Sequence, residues 1–439
     1  MRWAILLAAL ALLAGVAHAA VWDLGIARSS AAKVPVGILG VVSAEGQNGL
    51  DEEVAEADRV LMADLRRSGV FRARDLDLHV AQAPDKILSP MRIRDIGVRE
   101  TVDVLLWVEV GKERGRTVLT GHVYDGARGN RVDGRRYVGD DSQLRAMVHR
   151  FVGELIHRYT GEYGITHSRI AFVSDITGKK EIHVMDHDGY APHRITADRN
   201  ISLMPALSPD GSKVLYVSQK SGRWRLYEVD IYSSNRTAAP VVGGTVVSPA
   251  WEPGGDGYAL AANVDGNQEI FHVRGDGKVL RLTRNPADDV SPAYSADGKR
   301  IAFTSNRGGS PQIYVMSASG GRARRLSFGG PYNSEPTWSP TGLFVAFTCQ
   351  QGAHFKICLV DADGGEAHPI TSGPWDDETP SFSPDGRHIA FASNRGGRKD
   401  IYMMDPDGRN VERLTYNGAN NMAPSWADTD TRRRSGGRR

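Results

Sequence analysis

Two cysteines in 439 residues leave no room for a disulfide-rich scaffold, and neither Cys349 nor Cys358 belongs to a Cys-x-x-Cys pair that would hold a metal. Nine positions apart, they either bridge one hairpin of an exported protein or sit as two small buried apolar residues. Charge of one sign is also missing. Lys and Arg number 54 and Asp and Glu 52, which argues against a surface dedicated to nucleic acid. No segment after the N-terminus reaches about 18 consecutive apolar residues, so the mature chain is expected to be soluble. Catalytic strings are equally scarce. There is no phosphate-cradling glycine loop and no Gly-x-Ser-x-Gly elbow, and Ser30-Ala31-Ala32-Lys33 matches a Ser-x-x-Lys string without its accompanying motifs. His183 and His187 flank Asp186 on a strand and turn, a spacing unsuited to zinc. The Asp-x-Asp-Gly turns lack the later Glu of a helical calcium loop.

Repetition is what the sequence has instead. A Pro-x-aromatic signature recurs at Pro249/Trp251, Pro292/Tyr294, Pro336/Trp338, Pro380/Phe382 and Pro424/Trp426, with a weaker copy at Pro205/Leu207, in steps of 44, 43, 44, 44 and 44. A Ser-Pro-Asp-Gly turn follows, clear at Ser208 to Gly211 and Ser383 to Gly386. Then come a strand such as Ile301-Ala302-Phe303, a third beginning at Ile182, Leu226, Ile270, Ile313, Ile357 and Ile401, and a fourth ending in Leu/Ile-Thr/Ser. Four short strands per unit make a propeller blade, and six units make a closed six-bladed β-propeller over 165–427. The ends support closure. The first copy lacks its Pro-x-aromatic strand and the last has only that strand, so the final strand is expected to complete the first blade and remove an open edge.

Before the repeats, Arg2, the apolar run Ala4 to Val16 and Ala17-His18-Ala19 read as a signal peptide over 1–19, followed by a flexible segment over 20–33. A small α/β (or α+β) domain is expected over 34–164. Val34 to Val41 is a buried strand, Leu50 to Ser68 carries apolar residues at helical spacing, Thr117 to Tyr124 and Arg131 to Val138 form a hairpin, and a helix covers about 141–160. The arginines of 428–439 form a disordered basic tail.

Strand direction gathers the loops that enter each Pro-x-aromatic strand at one end of the propeller channel. They carry Asp288, Asp289, Glu335, Asp376, Asp377 and Glu378 on one arc, with Asn333, Asn420 and Asn421 alongside and Arg307 and Arg395 framing it. Such a ring suits a basic or amide-rich partner segment, or a cation. The partner-binding residues read there are Ser248, Asp289, Ser291, Asn333, Ser334, Glu335, Asp377, Glu378, Thr379 and Asn421. No cofactor is required. A competing enzyme reading, a lactonase-like hydrolase, would place an axial calcium between Asp289, Glu335, Glu378 and Asn421. A third, a carbohydrate or peptide sensor, has Trp375 as its aromatic candidate.

The chain resembles the TolB family of the periplasmic Tol–Pal system in Ala63-Asp64-Leu65-Arg66-Arg67-Ser68-Gly69-Val70-Phe71, in Leu155 to Gly164, and in Arg169-Ile170-Ala171-Phe172-Val173-Ser174. That resemblance implies a monomeric, non-enzymatic periplasmic adaptor supporting outer-membrane integrity and cell division. It would bind the lipoprotein Pal through Asn333-Ser334-Glu335-Pro336 and Asp377-Glu378-Thr379-Pro380, and TolA through an N-terminal segment including Val21, Trp22, Asp23 and Leu24.

Overall fold

The computed structural model describes residues 33–429 except 77, 79, 199 and 241. The expected signal peptide, Val21 to Leu24 and Ser30 to Ala32 therefore lie outside the described residues, as does the arginine-rich tail from 430 onward.

The first region is one five-stranded sheet in the order β2-β1-β3-β4-β5, with β1 Val34–Ser43, β2 Phe71–Asp75, β3 Val104–Glu113, β4 Arg116–Asp125 and β5 Arg131–Gly139. β1 runs parallel to β2 and β3, and β3, β4 and β5 form an antiparallel meander. The pleat sends alternate residues of β3 to opposite faces. Val104, Leu106, Val108 and Val110 meet helices α1 (Asp51–Arg67) and α4 (Leu144–Thr160), whereas Leu105 and Trp107 meet Ile93 of α3 (Pro90–Glu100) and Ala83 ahead of α2 (Pro84–Ile87). α1 buries Ala57, Val60, Leu61 and Leu65 as its spacing predicts, and carries three acids in its first turn and Arg66 and Arg67 in its last.

The repeats form six four-stranded sheets. In each, the Pro-x-aromatic strand is innermost, and the inner strands Ser202–Leu207, Val246–Trp251, Asp289–Tyr294, Asn333–Trp338, Asp377–Phe382 and Asn421–Asp428 neighbour one another around the axis. Asn421–Asp428 pairs antiparallel with Ser168–Ser174, so the last strand completes the first blade. The repeat marks have local causes. The Trp251 and Trp338 indoles donate to the carbonyls of Ala206 and Ala293 on the preceding inner strand. In the Ser-x-Asp-Gly turns, Ser208, Ser295 and Ser383 donate to Asp210, Asp297 and Asp385 and accept the amides of Lys213, Arg300 and His388. The hydroxyls closing strand four, such as Thr283, Ser327 and Thr415, accept the amides of Ile270, Ile313 and Ile401 on strand three and donate to Glu269, Gln312 and Asp400.

Cys349 and Cys358 form a disulfide. They are diagonal neighbours in their hairpin, Cys349 opposite Lys356 and Cys358 opposite Phe347, and their Cα atoms lie 5.8 Å apart.

Candidate functional site

Each inner strand is interrupted at its proline. Proline has no N–H for the ladder, and the register slips around it, between Val290 and Ala293 and between Ser334 and Thr337 for example. The residue before the proline turns left-handed in all six blades. Met204, Ser248, Ser291, Glu335, Thr379 and Ala423 have φ between +51° and +55°, and none is glycine. A non-glycine residue in that region costs on the order of 1–3 kcal/mol, so the surrounding structure must hold it there. Part of that hold comes from the neighbouring blade: the amides of Glu335 and Thr379 donate to Thr304 and Thr348 Oγ1 at 3.1 and 2.9 Å.

The ten sequence-predicted residues separate into two groups. Ser248, Ser291, Glu335, Glu378 and Thr379 are half-buried at this entrance, whereas Asp289, Asn333, Ser334, Asp377 and Asn421 are buried. Arg307 holds both oxygens of Asp289 at 2.8 and 2.7 Å, and Arg395 holds Asp377 at 2.8 Å. These arginines therefore fold back on buried acids rather than framing the ring. Asn333 bonds Gln312 and the Gly329 carbonyl, and Asn421 bonds Asp400 and Asn417. Asp288 and Asp376 accept the amides of Gln268 and Phe355. Most of the acidic arc is thus structural.

Glu335 and Glu378 remain as the carboxylates of the entrance. Burial, reinforced by Glu378, pushes the Glu335 carboxyl above its usual value, against the pull of a 3.0 Å hydrogen bond from Thr348 and of Lys399. Glu378 is paired with Lys399. Of the four residues in the calcium reading, Asp289, Glu335 and Glu378 are engaged by Arg307, Thr348 and Lys399, and Asn421 by Asp400 and Asn417. Trp375 is half-buried with the Arg395 guanidinium 5.3 Å from its ring, consistent with blade packing.

The α/β region packs on the opposite end of the propeller. Arg67 of α1 pairs with Glu412, Arg145 of α4 with Asp188, and Gly69 approaches Arg387 of a Ser-Pro-Asp-Gly turn. The pre-proline entrance faces away from this contact. At the contact lies a group that spacing did not reveal: Asp64 of α1, His149 of α4 and His187 of the first blade converge, all buried. Burial alone pushes the Asp64 carboxyl up, but the charges and hydrogen bonds of the two imidazoles hold it well below the carboxylate range. His183, four residues away, instead packs on Phe172 and bonds the Glu181 carbonyl. His149 and His187 lie 85 and 123 positions from Asp64, and only an acid at a buried position of α1 hinted at them.

Residues 156–428 match the family model described as TolB beta propeller domain. The chain belongs to the TolB propeller family. A protein called TolB homolog from Chlorobium luteolum is 32% identical over 273 residues, 62% of each chain. Another from Chlorobaculum tepidum is 35% identical over 263 residues, 60% of this chain and 58% of the relative, so the chain spans about three fifths of the curated relatives it matches. Similarity to the crystal structure of TolB from Acinetobacter baumannii extends over 90% of this chain and 97% of that one, with a TM-score of 0.75 and 26% identity. That TolB fold therefore spans the α/β region as well as the propeller.

Proposed function

We propose that the protein is a non-enzymatic periplasmic adaptor of the Tol–Pal system, which docks Pal at the pre-proline entrance and engages TolA through its N-terminal segment, supporting outer-membrane integrity during division. The observation that carries this reading is the entrance itself. Six blades each hold a non-glycine residue in left-handed geometry at the same position, on the end of the propeller that the α/β region leaves uncovered. Strain kept at a half-buried rim, and held at Glu335 and Thr379 by inter-blade hydrogen bonds, is consistent with a preorganised recognition surface. The disulfide agrees with an oxidising compartment, and no described helix is long and apolar enough to cross a membrane.

Five residues make the contact: Ser248, Ser291, Glu335, Glu378 and Thr379. Asp289, Asn333, Ser334, Asp377 and Asn421 support them from behind. A pull-down of the mature protein against Pal tests this, with Glu335→Lys and Glu378→Lys as variants. Each is expected to weaken capture at least tenfold while keeping the wild-type circular dichroism spectrum; unchanged capture by both would remove the entrance as the site.

A further inference from the structure

We propose that Asp64, His149 and His187 bind a divalent transition metal of the zinc class and thereby pin the α/β region to the propeller. One carboxylate and two imidazoles are a donor set suited to zinc. The three side chains come from α1, α4 and the first blade, and 0%, 7% and 1% of their surfaces are exposed, so the site is buried and draws on both regions. Zinc with bonds of about 2.0–2.2 Å in tetrahedral geometry places its donors roughly 3.3–3.5 Å apart. His187 Nε2 already lies 3.3 Å from Asp64 Oδ1. His149 Nδ1 is hydrogen-bonded to Asp64 Oδ2 at 2.5 Å, and that contact has to open by roughly 1 Å to admit the ion.

The far side of His149 strengthens the case. Its Nε2 is buried without a hydrogen-bond partner and faces Asp188 Oδ2 at 3.9 Å. Arg145 in turn anchors Asp188. A carboxylate on that side of a ligating imidazole favours the proton on the distal nitrogen and leaves the other lone pair for the ion; at 3.9 Å Asp188 does so by its charge and makes no hydrogen bond. Asp188 follows His187 directly in sequence, so one turn of the first blade supplies both a ligand and the support for another. Three protein donors leave one position for water.

The test uses the full mature chain, stripped with chelator, incubated with zinc and desalted before metal analysis, with cobalt absorption reporting tetrahedral geometry. The wild type is expected to retain one equivalent, and zinc is expected to protect the 160–168 junction from limited proteolysis. His187→Gln and Asp64→Asn should lower zinc affinity at least tenfold and abolish that protection, whereas His183→Gln should change neither. If Asp64→Asn does not fold, the wild-type stoichiometry and His187→Gln still decide the matter. A wild type that retains no zinc, or a His187→Gln variant that retains a full equivalent, overturns the proposal.

Discussion

At Glu335 the folded protein holds a proton more tightly than the unfolded chain does, because burial and then Glu378 disfavour the carboxylate. Stability contributed by this group is therefore lost as pH rises from the ordinary glutamate value through the raised one, and the ionised form is a burden at neutral pH. Glu335→Gln is expected to raise the melting temperature at pH 7.5 by about 1–3 °C, with the gain vanishing near pH 4. An equal gain at both pH values in a thermal scan would contradict this account. Burial pushes the Asp289 carboxyl up as well, but there the charge and two hydrogen bonds of Arg307 oppose it directly. Arg307→Met strands a buried carboxylate and is expected to cost about 3–5 kcal/mol, whereas adding Asp289→Asn should recover much of that loss. Denaturant titration of the two single variants and the double reads the coupling directly, and simple additivity would refute it. The sequence shows that acids collect ahead of the prolines; it does not show which of them are spent on arginines, because the partners lie 18 positions away in the turn after the next strand.

Among the elements, legibility followed periodicity. Repeat strands and α1 announce themselves by spacing, whereas β2 does not: its Arg72-Ala73-Arg74 core is short, and only Phe71 is buried. α3 was similarly quiet, although Ser89 accepts the Arg92 amide at its start and Pro90 follows. Its Gly97 hides a packing requirement, since a Cβ there would sit 2.2 Å from the Gly126 carbonyl oxygen. The cysteine hairpin depended on register, which composition leaves open. Closing a loop of this size stabilises by about 2–3 kcal/mol in the chain-entropy treatment. The Cys349→Ala/Cys358→Ala variant is thus expected to unfold at lower denaturant with its native fold intact, and an unchanged midpoint would show that the bridge adds nothing.

For the molecule as a whole, the joining of its ends matters most. Asn421–Asp428 contributes the inner strand of the first blade, and its contacts reach both neighbours: the Ser425 hydroxyl accepts the Leu207 amide, and the Trp426 amide donates to Ser381. Trp426 also donates its indole N–H to Ser168, where the repeats begin. A chain ending at residue 420 would leave Ser168–Ser174 as an exposed edge facing the axis, and each adjacent blade with only one of its two inner neighbours. The ring should then lose cooperativity rather than one blade's share of stability, because each inner strand is packed between two others. Deletion from Asn421 onward is expected to broaden or abolish the thermal transition and to promote aggregation. A sharp, native-like melt for the shorter chain would mean that the six blades stand as separate units and that closure is not what holds them.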